Sequence, residues 1–321
     1  MKRDLDQGFK DLLAMSFTKA VDFVEKRLRF IQPGCARCSP QYDPKPLVLR
    51  RRVPKQNRDA LPEISMVIPS FNQGDFLEET IRSVIGQGYP RLELVLVDGG
   101  STDGSREIIE KYAGKFSWWV SEPDMGQAEA LNKGFSHCGG DILGWLNSDD
   151  CLAPGALWTV AACFLDSPDA DVIYGQRVLI NEKGDDIGRW ILPRHDDKVL
   201  TWADFIPQET VFWRRSIWEE VGERLDEAFR FALDWDLLLR FRAAGAKMKR
   251  VPHYLGLFRI HGGQKTLKDM EVSGRGEMER LWARSLGYVP RRERVIAAAG
   301  WYLMRARILE WLCSAGMVRY D

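Results

Sequence analysis

The stretch Leu92-Glu-Leu-Val-Leu-Val-Asp98-Gly-Gly-Ser-Thr-Asp103-Gly-Ser105 joins an almost uninterrupted apolar run to an abrupt polar turn. Such a run predicts a strand that is buried on both faces, as in a parallel sheet. A helical pattern begins at Asp103, so the turn connects a strand to a helix. Ligands of open α/β sheets bind beyond the carboxyl ends of the strands, where Asp98 stands. Asp98 either accepts hydrogen bonds from such a ligand or belongs to a turn in which Asp103 caps the helix.

A second apolar strand ends in a cluster of acidic and amide side chains. Asp141-Ile-Leu-Gly-Trp-Leu146 runs directly into Asn147-Ser-Asp149-Asp150. Two adjacent carboxylates repel each other, and a divalent cation would relieve that repulsion. Mg²⁺ and Mn²⁺ favour carboxylate oxygens and often link them to phosphates. The alternative is an Asx turn that leads into a helix near Pro154.

The order of strand and helix patterns indicates an α/β fold. Up to about residue 166, strands (64–69, 92–97, 116–120, 141–146) alternate with helices (75–87, 103–113, 127–137, 154–165). This alternation is typical of βαβ units. Beyond residue 171 we predict a hairpin (171–180, 187–192), helices at 216–222 and 234–244, and strands at 247–251 and 255–260. The predicted fold is a mixed, mainly parallel sheet flanked by helices.

Both ends of the chain carry further helical patterns. Residues 8–32 place apolar side chains at steps of three or four, which predicts an amphipathic helix. Residues 33–60, with several prolines and a basic cluster, are typical of a linker. The tail from residue 270 is predicted to be helical, with a break near Gly287 and Pro290. Arginines stand beside tryptophans and leucines in this tail. The terminal helices either pack on protein, including a second subunit in a homo-oligomer, or contact a membrane surface. Packing is the favoured interpretation.

Composition excludes several classes of protein. The 321 residues hold equal numbers of basic and acidic side chains, 46 of each, so no global field attracts nucleic acid. Cys35 and Cys38 form one CxxC, but no second pair follows at zinc-ligand spacing. We expect thiols in a reducing compartment. The first residues lack an apolar signal core, and no uncharged run is long enough to span a bilayer. The predicted location is the cytoplasm, with the inner face of the membrane as the alternative.

Six short motifs, in this order and spacing, resemble those of family 2 glycosyltransferases. They are Val67-Ile-Pro69-Ser70-Phe71-Asn72, Val97-Asp98-Gly-Gly-Ser-Thr-Asp103-Gly-Ser, Gly126-Gln127 to Asn132-Lys133-Gly134, Gly144-Trp-Leu-Asn147-Ser-Asp149-Asp150, Leu233-Asp234-Trp235-Asp236, and Arg259-Ile-His261. Each motif is moderately specific, and the ordered set is strongly so. The resemblance implies a GT-A fold over 61–266, with a nucleotide-binding half (61–150) and an acceptor half (151–266). Segment 1–60 precedes this domain, and a helical extension (267–321) follows it.

The resemblance also implies a reaction. A family 2 enzyme of this kind moves a sugar, with inversion, from a nucleotide-diphosphate donor to a hydroxyl acceptor, and it uses Mn²⁺ or Mg²⁺. A UDP-sugar is the expected donor. A carbohydrate or lipid-linked glycan is the expected acceptor, in the synthesis of a surface polysaccharide or other glycan.

The residues that match the family motifs receive expected roles. Asp149 matches the metal-binding carboxylate that ends a D-x-D motif, although Asn147 departs from the pattern at its first position. His261 matches the family's C-terminal histidine and is the expected second metal or diphosphate ligand, which would favour Mn²⁺. Asp234 is the expected general base, although Leu233 replaces the glutamate that precedes it in the family. The alternative is that Asp234 only caps a helix and Asp236 is the functional carboxylate.

Weaker expectations complete the site. Expected donor contacts are Pro69, Ser70, Asn72, Asp98, Gln127, Asn132, Lys133, Asn147 and Asp149, and expected acceptor-side residues are Gln208 and Trp235. A nucleotidyltransferase would need a glycine-rich basic loop after the first strand, and a dehydrogenase would need GxGxxG there. The chain has neither at that position. A sugar-nucleotide-binding or scaffold protein without catalysis is the remaining alternative, which Asn147 and Leu233 leave open.

Overall fold

The structure is a computed structural model that describes residues 40–50, 53, 60–263, 273–314 and 317–318. The predicted N-terminal helix at 8–32 and the CxxC of Cys35 and Cys38 lie outside the described residues. The remaining cysteines are free thiols, namely Cys138, Cys151, Cys163 and Cys313. Burial raises the pKa of Cys151 to about 12, so this thiol stays protonated.

Strands and helices alternate through the first half of the described chain. The strands are β1 (Ile64–Ser70), β2 (Leu92–Asp98), β3 (Trp118–Ser121), β4 (Ile142–Trp145), β5 (Cys151–Leu152), β6 (Val172–Ile180), β7 (Asp186–Trp190), β8 (Phe212–Arg214) and β9 (Met248–Arg259). The α-helices are α1 (Gly74–Ile85), α2 (Ser105–Lys111), α3 (Gln127–Phe135), α4 (Ala156–Asp166), α5 (Asp197–Trp202), α6 (Arg215–Glu220), α7 (Leu233–Ala243), α8 (Arg275–Leu286) and α9 (Arg292–Ser314). The alternation predicted for residues 64–166 is confirmed.

One sheet joins these strands in the order β3-β2-β1-β4-β8-β6-β9-β5, with β7 paired to β6. Strands β3, β2, β1 and β4 run parallel, and β8 runs antiparallel to β4. Ser70 stands opposite Asp98 in the β1–β2 pairing. The carboxyl ends of these strands therefore meet at one edge, where ligands bind in such sheets. The predicted mixed, mainly parallel sheet is confirmed.

The two faces of the sheet build two separate cores. Alternate residues of β1 point in opposite directions, so Val67 packs in one core and Met66 in the other. Helix α3 lies on the Val67 face. A Cβ atom at Gly134 would collide with the Val67 side chain, so glycine is needed for α3 to approach the sheet this closely. The glycine that ends the third family motif therefore serves packing.

The chain beyond residue 150 differs from its prediction in two ways. The strands predicted at 247–251 and 255–260 are one strand, β9. Its pairing with β6 shifts in register between Tyr174 and Gln176, and this bulge accommodates Pro252 inside the strand. Four short elements were not predicted, because they are too short to show a period: β5, β8, α5 and the 3₁₀ turn at Gln208–Thr210.

Where the structure describes them, the segments before and after residues 61–266 pack on that domain. Lys45, in the predicted linker, forms a β-bridge with Asp186 of the hairpin. In α9 a buried face recurs at steps of three or four, formed by Val295, Ala299, Tyr302 and Ala306. This face packs against α5 and supports the packing interpretation. The opposite face exposes Trp301 and Ile308, and its contact with a membrane or a second subunit stays a prediction. No helix in the described ranges is long and apolar enough to cross a bilayer.

Candidate active site

A cleft of about 740 Å³ opens at the carboxyl ends of β1 and β4. Its walls come from both halves of the sheet and from the start of α7. The predicted site residues that line it are Pro69, Ser70, Gln127, Asn147, Asp149, Gln208, Asp234 and Trp235. The structure thus brings the segment after β4 and the start of α7 to one cavity.

Asp149 and His261 form a pair beside this cleft. Asp149 Oδ2 lies 3.1 Å from His261 Nε2, and the two side chains are 19% and 6% exposed. The peptide N–H of Gly263 donates to His261 Nδ1 over 3.3 Å, so the proton of a neutral ring is on Nε2 and points to Asp149. No group of three or more metal-ligating side chains occurs among the described residues. Any ion held here would need further oxygen ligands from phosphate or water.

Arg259, at the end of β9, holds Asp149 and His261 close together although they are far apart in sequence. Its buried guanidinium donates from Nε to the Asp149 carbonyl oxygen over 2.9 Å and from Nη2 to Glu79 over 2.6 Å. Its peptide N–H donates to Asp150 Oδ1 over 2.9 Å. These bonds tie the end of β9 to the segment after β4. His261, two residues further on, is thereby held against Asp149.

The adjacent residues Asp149 and Asp150 differ in their exposure to solvent. Asp150 is 1% exposed, and its carbonyl oxygen accepts a hydrogen bond from Thr80 Oγ1 over 2.7 Å. Burial, and then the charge of Asp149, raise the pKa of Asp150 well above its ordinary value. Asp150 is thus nearly fully buried although it borders the cleft, and the relief of the repulsion between this pair by a cation stays a prediction. Asp149 is the more exposed carboxylate of the two and the one that pairs with His261.

Helix α7 places Asp234 at the cleft and Asp236 away from it. Asp234 lines the cleft, and its Oδ1 accepts the peptide N–H of Trp235 over 2.8 Å. Asp236 is fully buried and pairs with Arg240 at 2.9 Å and Arg284 at 2.6 Å. Residues two apart on a helix point about 200° from each other, so only one of the two carboxylates can face the cavity. The structure favours Asp234 over the Asp236 alternative.

The C-terminal extension holds the segment from which Asp234 emerges. Glu277 of α8 is 3% exposed. Its carboxylate accepts the peptide N–H groups of Arg230, Phe231 and Ala232 over 2.9, 2.8 and 2.9 Å. These three residues directly precede α7. The extension is therefore part of the structure that positions the candidate base.

Glu277→Ala is expected to lower the free energy of unfolding by about 3 kcal/mol, because buried peptide donors lose their charged acceptor. Urea denaturation would measure the change. The matched variant is Glu279→Ala on the same helix, where an exposed ion pair with Arg275 at 3.1 Å is lost. That variant should change stability by less than about 0.5 kcal/mol. Equal effects of the two variants would contradict this role for Glu277.

The donor side of the cleft is built from the ends of β1 and β4. Gln127, the first residue of α3, donates from Nε2 to Asn147 Oδ1 over 2.8 Å, which fixes the helix start beside the end of β4. The Oγ atom of Ser70 is buried and has no hydrogen-bond partner within the described ranges. A buried polar atom of this kind at the wall of a cleft is available to a ligand or a water molecule. Pro69 stands beside it in the cleft wall.

Asp98 and Asn72 have partners within the protein. Asp98 is fully buried, and its carboxylate accepts hydrogen bonds from the Ser101 peptide N–H at 3.0 Å and from Ser121 Oγ at 2.7 Å. Asn72 Oδ1 accepts the peptide N–H of Thr102 over 3.0 Å. Both side chains build the turn after β2 in this structure. Their contact with a nucleotide stays a prediction.

Asn132 and Lys133 do not reach the cleft, so the expectation that they face it is wrong. Asn132 Oδ1 accepts the peptide N–H of Leu225 over 2.7 Å, and its Nδ2 donates to Glu227 over 2.9 Å. Lys133 forms an ion pair with Glu122 at 2.7 Å. These contacts hold α3 against neighbouring segments. They occupy the Asn132 amide and the Lys133 ammonium group, which were expected to contact the nucleotide-sugar donor.

The two acceptor-side residues have different positions. Gln208 donates from Nε2 to the Trp145 carbonyl oxygen over 2.9 Å, and its buried Oε1 has no partner in the described part of the chain. It remains an acceptor-contact candidate. Trp235 is 1% exposed, and its indole N–H donates to the Leu200 carbonyl oxygen over 2.8 Å. Its ring is therefore largely enclosed by the core, although the residue borders the cleft, and its acceptor-side role stays a prediction.

Several charged residues that line the cleft were not predicted from the sequence. Arg177 of β6 is buried, donates from Nε to Glu209 over 2.6 Å, and lies over the Phe258 ring at 4.2 Å. Arg230 and Asp204 are further residues of this wall. They come from separate elements and share no short motif, so only the fold reveals their proximity.

Comparison with known proteins identifies the family of the chain. The model of the family described as Glycosyl transferase family 2 matches residues 65–234. An uncharacterized glycosyltransferase of Mycobacterium tuberculosis, MT1564, is 32% identical over 183 residues, which are 56% of this chain and 68% of the relative. The chondroitin synthase of Pasteurella multocida is 26% identical over 232 residues, 71% of this chain and 24% of that much longer protein.

Two solved structures share the fold at low sequence identity. Staphylococcus aureus TarS 1–349, in complex with UDP-GlcNAc, superposes with a TM-score of 0.57 at 18% identity and covers 75% of this chain and 71% of that chain. The mannosyltransferase PcManGT of Pyrobaculum calidifontis, in complex with GDP-Man and Mn²⁺, superposes with a TM-score of 0.55 at 16% identity. The superposition covers 93% of this chain and 84% of that chain. The family match spans more than half of the sequence, and the fold agrees with it. The chain therefore belongs to glycosyltransferase family 2.

Proposed function

We propose that the protein is an inverting glycosyltransferase. It moves a sugar from a nucleotide-diphosphate donor to a hydroxyl acceptor in the synthesis of a surface polysaccharide or other glycan. The observation that carries the proposal is the cleft, lined both by Asp149, which is paired with His261, and by Asp234. The nucleotide sugars held by TarS and PcManGT support a donor of this class. A UDP-sugar is the proposed donor.

Asp149 and His261 fit a divalent metal ion. Once the ring proton leaves Nε2, the pair would offer one carboxylate oxygen and one imidazole nitrogen, a donor set that suits Mn²⁺ better than Mg²⁺. Arg259 fixes the Asp149 backbone, so the carboxylate is already oriented. When bound, the ion would offset the negative charge that develops on the departing diphosphate. The Mn²⁺ in the PcManGT complex supports this choice.

Asp234 is the proposed general base. Its position in the first turn of α7 favours the ionised carboxylate, because a helix N-terminus stabilises negative charge. The acceptor oxygen forms a bond to the anomeric carbon while the bond from that carbon to the diphosphate oxygen breaks. The hydroxyl proton passes to Asp234. Attack opposite the leaving group inverts the configuration at the sugar.

A panel of nucleotide sugars tests the proposal. The purified chain, with Mn²⁺, is mixed with UDP-, GDP-, dTDP- and CMP-sugars, and the unfolding temperature and nucleotide release are measured. We expect one donor to raise the unfolding temperature, since a ligand of the folded state stabilises it. That donor should also be hydrolysed slowly, and less so when EDTA replaces Mn²⁺.

Two other outcomes of the panel have clear meanings. Binding of a donor without any turnover, even with added glycan acceptors, would support the non-catalytic binding protein instead. Failure of every nucleotide sugar to bind would contradict both functions.

A further inference from the structure

Asp204 lies in the wall of the same cleft as Asp234. It stands in the short segment between α5 and the 3₁₀ turn at Gln208–Thr210. Its Oδ1 atom is buried and has no hydrogen-bond partner among the described residues. The peptide N–H of Ile206 is a donor to the carboxyl group. One oxygen of this carboxyl group is therefore left without a donor in a cavity built for a ligand.

The charges around Asp204 make its ionisation unfavourable. Asp234 of α7 and Arg177 of β6 line the same cleft as Asp204, and their charges act on its carboxyl group. The guanidinium of Arg177 is already bound to the buried carboxylate of Glu209, so its charge is largely compensated. Burial, and then the negative charge of Asp234, raise the pKa of Asp204 well above its ordinary value. A buried carboxylate oxygen without a donor is costly, and protonation removes that cost.

We propose that Asp204 and Asp234 work as a pair with a single proton, which Asp204 holds and donates in a hydrogen bond to the Asp234 carboxylate. Asp204 is then a positioning residue that orients the base toward the acceptor hydroxyl. The inference rests on the proposed function, because it assigns Asp204 a part in the same transfer. A neutral Asp204 also avoids placing a second negative charge in the cleft, where it would repel the donor diphosphate. Pairs of carboxyl groups that divide their protonation in this way are typical of acid–base sites.

The pair predicts a bell-shaped dependence of transfer on pH. The rate should rise as Asp234 ionises and fall at higher pH as Asp204 loses its proton. An asparagine at position 204 can still donate a hydrogen bond from its amide, but it does not titrate. The alkaline fall should therefore depend on the carboxyl group of Asp204.

Three variants test this in the full-length chain. Asp204→Ala is expected to lower kcat by about 10- to 100-fold, with little change in KM for the donor, because the base loses its orientation. Asp204→Asn should recover most of that loss and shift the alkaline limb of the pH profile upward. Asp169→Asn, an exposed surface variant, should keep the wild-type profile. Wild-type kcat in Asp204→Ala, or an unchanged alkaline limb in Asp204→Asn, would overturn the proposal.

A second measurement needs no activity. A carboxyl group whose pKa is raised in the folded state stabilises the protein below its unfolded pKa, and this contribution is lost as pH rises through the folded pKa. The unfolding temperature of wild type should therefore fall relative to that of Asp204→Asn as the pH rises above the ordinary aspartate range. The gap should shrink when both proteins also carry Asp234→Asn. Parallel curves would refute the shared proton, whereas a wild type inactive with every donor would refute only the proposed function.

Discussion

Asp234→Asn should lower kcat for transfer by about 10²- to 10⁴-fold, the range that general-base catalysis contributes. The amide keeps the size of the side chain and can still accept the peptide N–H of Trp235, so the start of α7 should be preserved. It cannot take the acceptor proton. Donor affinity should therefore stay close to that of wild type. Steady-state kinetics with saturating donor, together with calorimetric donor binding, would measure both quantities.

Asp236→Asn is the matched control for this prediction, on the same helix two residues away. Its carboxylate is buried between Arg240 and Arg284, so the amide should weaken these ion pairs and lower stability. The kcat of the fraction that remains folded should change far less than in Asp234→Asn. Full activity of Asp234→Asn, or an equal loss of kcat in both variants, would remove Asp234 from the role of base.

Asp149→Asn should weaken Mn²⁺ binding by at least about 10-fold and lower transfer by at least about 10²-fold. The substitution removes the one negative charge of the Asp149–His261 pair but keeps its hydrogen-bonding shape. His261 alone is a poor site for a hard cation. Titration of Mn²⁺ in the presence of a nucleoside diphosphate would give the affinity, and nucleotide release would give the rate.

A double variant separates a shared site from two independent effects. If Asp149 and His261 bind one ion, Asp149→Asn and His261→Ala together should lose little more Mn²⁺ affinity than either variant alone. Additive losses would indicate that the two side chains act separately. Unchanged Mn²⁺ affinity in Asp149→Asn would contradict the metal site, even if transfer were impaired.

The parts of the fold that were predicted correctly depend on local patterns. The apolar run of β2 and the polar turn after Asp98 are neighbours in sequence, and the same holds for β4 and Asn147. Each signal is contained within about one strand and one turn. Shorter elements such as β5 and β8 were missed, since two or three residues carry no period. The predicted break in the C-terminal helical tail at Gly287 is confirmed, because glycine there takes a positive φ of 78° that ends α8.

Some of the predicted site residues lie at the cleft and others do not. Resemblance supplied Asp149 and Asp234 as cleft residues, and the structure places both there. It also suggested Lys133, whose side chain is instead paired with Glu122. A motif specifies which residue types recur at a spacing, but it does not say which of them face the cavity and which hold the scaffold together.

The amino-acid sequence by itself determined the α/β class and the family, and it supplied the candidates for binding a metal ion or accepting a proton, because local patterns and motifs carry this information. Only the tertiary structure decided that Asp150 is buried, that Arg259 brings His261 to Asp149, and that Glu277 holds the start of α7. The same is true of Asp204 beside Asp234. Each of these depends on side chains far apart in sequence, whose burial and charge environment exist only once the sheet and its helices have packed.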